Sequence, residues 1–299
     1  MPSGAGWVTL LPELVARLGE VLEWDVSSFG EDAPGALSFV CGVRRYWHPG
    51  MAPRPLGESM HAPVPFLEVP APGSRAIGVS FAQDHICGLR VGVPVTCLYT
   101  VMGYRRSDTR VGSGAFIDIR ASYRDATGDD LVRSNWTIFR YTPADHAGSG
   151  RRVSAVDDGA DPVHFTEIGL DLQRLVMWAG VIRDFAPLHF DRHFARGAGA
   201  RDAFANTQLL HALYERTLTE AFGPQLSIVR LGPFRMTGFA TCGSVLRTFV
   251  SKPTAQEDGT QRVLMWQECD GQLTASGEAS LVPSPAQPLR RQSRPMRPD

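Results

Sequence analysis

The sequence has 299 residues, of which 43% are hydrophobic, and its formal net charge is −1. This composition suits one large or two ordinary globular domains, and it argues against nucleic acid or an acidic membrane surface as the main partner. No apolar run approaches the roughly 20 residues of a membrane helix, and no signal peptide begins the chain. Five widely spaced cysteines without a CxxC pattern indicate reduced thiols, not disulfides or a zinc site. We therefore expect a soluble, cytoplasmic protein without a nucleic-acid or membrane partner.

The first half is predicted to begin with a helix and to end in strands. Residues 8–22 carry apolar side chains at helical spacing. Residues 49–73 contain many prolines, which predicts irregular surface chain. Residues 76–141 are rich in the β-branched and aromatic residues typical of strands, and the segment around Gly128 predicts a hairpin turn.

The second half is predicted to repeat this order. A strand over residues 164–168 precedes an amphipathic helix that is predicted to start at the N-cap Asp171. A longer helix is predicted from about Ala203 to Phe222, where the dipeptide Gly223-Pro224 stops it. Further strands are predicted over residues 227–231, 242–250 and 261–281, the last with a tight turn at Asp270-Gly271.

The two halves look like copies of one unit. Each closes with a strand, a glycine turn and a strand, which favours an internal duplication. Because β-hairpins are common, the similarity could also arise by chance. The stretch over residues 142–162 is polar and rich in Gly, Pro and Asp, as linkers are. We therefore predict an N-terminal domain (1–145), a linker (146–162), a C-terminal domain (163–283) and a disordered Pro- and Arg-rich tail (284–299).

Asp184 and His189 form the candidate catalytic pair. They are five residues apart with Pro187 between them, and because proline cannot continue a helix, the pair is predicted to lie on a turn. A carboxylate and an imidazole that hold one water can move its protons, which suits the addition or removal of water. The spacing alone also fits a solvated loop or capping aspartate and a histidine bonded to the backbone.

The surrounding segment resembles the hydratase 2 motif of the MaoC-like family, whose core reads roughly G-D-x-N-P-[LIV]-H-x-D. The matching residues are Asp184, Pro187, Leu188, His189 and Asp191. Residues 106–141 resemble the first domain of the fused double-hotdog dehydratases in this family, and the resemblance covers most of residues 76–283. It implies an α+β fold, a double hotdog in which each half is an antiparallel sheet wrapped around a central helix.

The resemblance also implies an activity. The family carries out (R)-specific, reversible hydration of enoyl thioesters of CoA or an acyl carrier protein. Asp184 and His189 would bind and deprotonate the water and return a proton at C2. A backbone amide at the start of the central helix would bind the thioester oxygen, and the matching positions are Asn206 and Thr207. No cofactor or metal is implied, and a fused pair is expected as a monomeric pseudo-dimer or a homodimer.

Two residues depart from the family pattern. Ala186 replaces the motif asparagine, which could brace the turn, and Thr207 stands where a glycine lets the thioester approach the backbone. These departures leave two alternatives open: a cyclisation or elimination in a specialised biosynthetic pathway, or a non-catalytic subunit that binds acyl chains or stabilises a partner. The first half is expected to lack a catalytic pair, because His48, His61 and His85 have no aspartate five residues upstream with a proline between.

Overall fold

The structure, a computed structural model, describes residues 7–42, 73, 75–109, 112–143, 161–184, 186–197 and 200–284. The proline-rich stretch lies outside the described residues except for Gly73, as does the predicted tail except for Ser284. Only residues 161 and 162 of the predicted linker are described. The domain boundaries drawn from the sequence therefore stay a prediction.

The described part of each half combines short helices with long strands. In the first half the elements are β1 (Val8–Thr9), α1 (Pro12–Leu22), β2 (Asp32–Ala33), α2 (Ser38–Gly42), β3 (Arg75–His85), β4 (Leu89–Arg90), β5 (Pro94–Thr109), β6 (Gly112–Arg124) and β7 (Asp130–Pro143). In the second half they are β8 (Pro162–Leu170), α3 (Leu172–Ile182), α4 (Arg192–Gly197), α5 (Thr207–Phe222), β9 (Leu226–Met236), β10 (Ser244–Ser251), β11 (Thr254–Ala255), β12 (Gln261–Cys269) and β13 (Gln272–Pro283).

Local sequence signals located several of these element ends. The Asp171 carboxylate accepts a hydrogen bond of 2.7 Å from the N–H of Arg174, so Asp171 caps α3 as predicted. Asp270 and Gly271 have φ values of 50° and 70° and form the tight turn between β12 and β13. The longer predicted helix starts four residues later than expected, at Thr207.

All the described strands except β2 and β4, which pair with each other, form one antiparallel sheet across both halves. The order of the main path is β1-β5-β6-β7-β3-β9-β13-β12-β10-β8, and β11 pairs with β12. The halves meet where β3 pairs with β9, with Phe81 opposite Phe234 in the register. The sheet therefore continues from one half into the other, with one register shift between Phe81 and Gln83.

The first helix of each half and the 3-10 turn after it repeat at a constant offset of 160 residues. α1 and α3 are both 11 residues long, and each is followed by a residue in the left-handed conformation, Glu23 (φ 52°) and Arg183 (φ 58°). A 3-10 turn follows each of them, Ser27–Phe29 in the first half and Pro187–His189 in the second. This repetition supports a duplicated architecture.

The helix α5 is the centre of the second half. Every residue from 209 to 218 along it is buried, on all sides of the helix. Leu209, Leu210 and Leu213 belong to the larger apolar core, and Tyr214 stacks on Phe234 of β9 with ring centroids 4.0 Å apart. A helix that is buried all around matches the central helix that the sequence predicted.

Glu215 of α5 joins the two halves through a buried carboxylate. The carboxylate accepts hydrogen bonds from the backbone N–H groups of Gly35, at 2.7 Å, and Ala36, at 2.8 Å. Burial raises the pKa of Glu215 to about 7, although these two N–H groups act in the opposite direction. Burial also lowers the pKa of His85 to about 4 and lowers the pKa of His211. The interior between the halves therefore disfavours charge of either sign.

Glu215→Gln is expected to change how stability depends on pH. The pKa of Glu215 is raised in the folded protein, so its contribution to the free energy of unfolding is fully present below about pH 4.5 and is lost as the pH rises through about 7. The wild-type protein should therefore lose about 2 kcal/mol relative to Glu215→Gln between pH 5 and pH 8. Urea unfolding of both proteins at the two pH values measures this difference. A difference that does not change with pH would contradict the raised pKa.

Candidate active site

Asp184 and His189 follow the end of α3 on a tight reversal of the chain. Arg183 leaves the helix in the left-handed conformation, and Pro187 starts the 3-10 turn that contains His189. The fixed φ and the missing N–H of proline suit the first position of a helical turn. The chain therefore bends between the two residues, and His189 Nε2 lies 3.8 Å from Asp184 Oδ2. Their role as a catalytic pair stays a prediction.

One hydrogen bond sets the tautomer of neutral His189. Its Nδ1 lies 2.9 Å from the backbone carbonyl oxygen of Phe204. Because a carbonyl oxygen only accepts, Nδ1 carries the proton, and Nε2 keeps its lone pair in the neutral ring. Nε2 and Asp184 Oδ2 are then two acceptors separated by 3.8 Å, too far for a direct hydrogen bond. The space between them suits a small polar molecule that donates to both.

Two donors, one at each oxygen, hold the Asp184 carboxylate. Oδ2 accepts a hydrogen bond of 2.8 Å from Nδ2 of Asn206, and Oδ1 accepts a longer one of 3.3 Å from the N–H of Ala186. Asn206 Oδ1 accepts at 2.9 Å from both Trp178 Nε1 and the N–H of Leu209. The side chain of Asn206 therefore bonds to the protein itself. The expectation that a backbone amide at Asn206 or Thr207 binds the thioester oxygen stays a prediction.

The start of α5 lies beside this pair. Thr207 and Gln208 both line the cavity into which Asp184 and His189 face. The first amides of an α-helix have no acceptor within the helix, and the helix dipole favours negative charge next to them. A ligand oxygen that gains negative charge is therefore favoured at this position.

The cavity has a volume of about 180 Å³ and is built by both halves. Its second-half wall carries the polar groups Asp184, His189, Asn206 and Thr207. Its first-half wall is mainly apolar and comes from α2, β3 and β7: Phe39, Ala76, Ile77, Gly78, Ser80, Phe81, Trp136, Thr137 and Ile138. A few converging polar groups in an apolar cavity are typical of a small-molecule site.

Three aromatic side chains of the first half pack together at this cavity. The Trp136 ring lies 5.5 Å from that of Phe39 and 5.9 Å from that of Phe81, between ring centroids. None of these residues was predicted to belong to the site. No local signal distinguishes them, because an apolar residue on the inner face of a helix or strand has the same pattern whether it lines a cavity or fills a core.

The remaining residues of the motif have different positions. Pro187 is buried, and Leu188 lines the cavity while its carbonyl oxygen accepts a hydrogen bond of 3.3 Å from the N–H of Phe204. Asp191 is exposed and does not line the cavity; its carboxylate accepts from the N–H of Phe194, at 2.9 Å, at the start of α4. Asp191 therefore supports the loop and not the cavity.

The first half carries two aromatic residues where the second half carries the pair. At the offset of 160 residues, Trp24 corresponds to Asp184 and Phe29 to His189. Their rings are in edge contact, with centroids 5.2 Å apart. Of the histidines considered in this half, His85 is partly buried on β3, whereas residues 48 and 61 lie outside the described residues. The described part of this half therefore holds no acid–base pair at the equivalent positions.

Comparisons with known proteins identify the architecture. Neither a family sequence model nor a curated protein sequence matches the chain. Among solved structures, it is similar to a MaoC-like dehydratase from Phytophthora capsici, with 14% identity, 96% of each chain covered and a TM-score of 0.68. It is also similar to a hypothetical protein from Mycobacterium tuberculosis that is described as having a double hotdog fold, with 13% identity, 93% and 94% of the two chains covered and a TM-score of 0.57. The chain has the double-hotdog fold.

A third similar structure is a putative MaoC domain dehydratase from Chloroflexus aurantiacus, with 12% identity, coverage of 95% of this chain and 96% of the other, and a TM-score of 0.67. At such identities the similarity establishes the double-hotdog fold and confirms the predicted fold. It does not establish the reaction, which depends on the residues of the site. In the described part of the chain, no three His, Cys, Asp or Glu side chains are grouped as metal ligands. None of the helices described there has the length and hydropathy that a membrane crossing requires.

Gly78 of β3 is expected to be required for the close approach of the first-half wall to α5. A Cβ at position 78 would lie 2.6 Å from Thr207 Oγ1, so Gly78→Ala should force Thr207 to move and should lower the free energy of unfolding by about 1 to 3 kcal/mol. Gly180→Ala is the matched control. A Cβ there meets nothing within 4 Å and sits on a helix, so it should stabilise by roughly 0.5 to 1 kcal/mol. Urea unfolding of both variants checks the opposite signs; equal effects would contradict the contact.

Proposed function

We propose that the protein is a hydro-lyase that adds water reversibly to an enoyl thioester, the reverse reaction being dehydration of a 3-hydroxyacyl thioester. The observation that carries the proposal is the gap of 3.8 Å between His189 Nε2 and Asp184 Oδ2 on the wall of an apolar cavity. The similarity of the fold to MaoC-like dehydratases supports it. The (R) stereochemistry that the family resemblance implies is part of the same proposal.

In the proposed hydration, one water donates a proton towards each of the two acceptors. His189 Nε2 takes a proton from the water as the oxygen forms its bond to C3 of the substrate, while Asp184 orients the water and stabilises the imidazolium. The imidazolium then gives this proton to C2. The water is thus divided into a hydroxyl on C3 and a hydrogen on C2, and both side chains return to their starting states.

The thioester oxygen gains negative charge between these two proton transfers. Its stabilisation is proposed to come from the backbone amides of Asn206 and Thr207 at the start of α5, because both residues line the cavity. The apolar first-half wall suits the acyl chain of the substrate. The carrier is proposed to be CoA or an acyl carrier protein, with no cofactor, and the active form a monomeric pseudo-dimer or a homodimer.

The proposal is tested with enoyl-CoA substrates by following the loss of enoyl absorbance. His189→Ala and Asp184→Asn should each lower kcat at least about 100-fold, because positioned acid–base groups contribute about 100- to 10,000-fold. His193→Ala, an exposed histidine on α4, is the matched control and should keep the wild-type rate. Wild-type activity in both site variants would eliminate the assignment of the pair.

A second candidate function is a cyclisation or elimination by the same pair on a biosynthetic thioester. Thr207 favours this second function, because its side chain stands at the helix start and lies close to Gly78 of β3. A Cβ added at Gly78 would be only 2.6 Å from Thr207 Oγ1. This crowding restricts the approach of a thioester to the helix. An inactive wild type on simple enoyl thioesters, with His189-dependent conversion of a pathway intermediate, would favour this function. Binding of acyl thioesters without any conversion would favour a non-catalytic subunit.

A further inference from the structure

Asn206 is the residue through which three parts of the site are connected. Its Nδ2 donates to Asp184 Oδ2 at 2.8 Å, and its Oδ1 accepts from Trp178 Nε1 of α3 and from the N–H of Leu209 of α5, both at 2.9 Å. The side chain is 5% exposed, so these bonds are shielded from water. The end of α3, the Asp184 turn and the start of α5 therefore meet at one amide.

The orientation of the Asn206 amide is determined by its neighbours. Both the Trp178 indole and the Leu209 amide are donors only, so the atom that faces them must be the oxygen. The nitrogen is then left facing the Asp184 carboxylate, which accepts. Rotating the amide by half a turn would place N–H groups against donors and an oxygen against a carboxylate. The donation to Asp184 is therefore fixed by the surrounding structure.

Asn206 also stands in for a side chain that the turn lacks. Position 186 is alanine, and among the described residues of the turn its backbone N–H, at 3.3 Å from Asp184 Oδ1, is the one donor to this carboxylate. Among the described residues, Asn206 Nδ2 is the one side-chain group that donates a hydrogen bond to this carboxylate. Without it, the Asp184 carboxylate has no short hydrogen bond to hold its rotation.

We propose that Asn206 is a positioning residue that fixes the Asp184 carboxylate, at Oδ2, in the orientation needed to hold the water shared with His189. The inference rests on the proposed hydration. Because Asn206 also caps α5, it sets the position of the carboxylate relative to the helix start that faces the thioester oxygen. A displacement of about 1 Å between such groups can cost about 100-fold in rate.

Asn206→Ser separates positioning from helix capping. Serine is a good N-cap and keeps an acceptor for the Leu209 N–H, but it has no donor that reaches Asp184. We expect kcat to fall about 10- to 100-fold, because a displacement of about 1 Å between reacting groups can cost about 100-fold in rate. KM should change less than about threefold. The thermal unfolding midpoint should change little, and circular dichroism checks that the fold is kept.

Asn206→Asp tests directly whether the side chain at position 206 faces the Asp184 carboxylate in the working enzyme. It keeps the cap and the size of the side chain but places a second carboxylate beside Asp184, with His189 as the other titratable group that faces Asp184, 3.8 Å from Oδ2. Like charges hinder ionisation, so the acidic limb of the pH profile of kcat/KM should move to higher pH. Trp178→Phe, which removes one of the two donors to Asn206 Oδ1 together with part of a buried ring, should lower kcat in the same direction but less.

The outcomes distinguish this inference from the proposed function. If the wild type is active and His189→Ala is not, but Asn206→Ser keeps the wild-type kcat and Asn206→Asp keeps the wild-type pH profile, the positioning role is overturned and the hydration stands. If the wild type converts no enoyl thioester, both are overturned. A lower kcat in Asn206→Ser together with the shifted profile in Asn206→Asp supports the positioning role.

Discussion

The pairing of β3 with β9 is the constraint on which the rest of the structure depends. It joins the sheets of the two halves edge to edge, so that one sheet runs through the whole molecule. The same pairing brings Gly78 and Phe81 of β3 against the start of α5, where the cavity lies. Asp184 and His189 of the second half can face an apolar wall from the first half because the edge strands β3 and β9 are paired. The candidate site is therefore a property of the joined chain and not of either half.

The sequence predicted what depends on neighbouring residues and missed what depends on distant ones. The Asp171 cap, the Asp270-Gly271 turn and the bend at Pro187 follow from local chemistry, and the structure has each of them. The start of α5 was predicted too early, because apolar periodicity continues into a segment that the Asn206 cap excludes from the helix. The bond from Asn206 to Asp184 spans 22 residues, and no pattern along the chain indicates it. An asparagine before a helix signals a cap, but not the second use of its amide.

The two halves have diverged in chemistry while keeping their backbone. The same helix, left-handed residue and 3-10 turn recur at 160 residues, yet the first copy carries Trp24 and Phe29 and the second Asp184 and His189. The Trp24 and Phe29 rings present mainly apolar surface, with the indole N–H as their one hydrogen-bonding group, whereas a carboxylate and an imidazole need several partners. The hydrogen bonds of Asn206, Trp178 and the Phe204 carbonyl, which meet this requirement, lie in the second half. One copy is thus free to contribute packing, and the other carries the polar groups.

The contact of Glu215 with the Gly35 amide links residues 180 positions apart. A ribosome that has just finished the first half has not yet made the carboxylate that the Gly35 and Ala36 amides require. The same nascent chain also lacks β9, so the edge of β3 has no partner at that moment. Early domains often fold during synthesis, but this one must wait with an open strand edge until most of the chain has emerged. Truncated chains that lack β9 are exposed to aggregation through that edge.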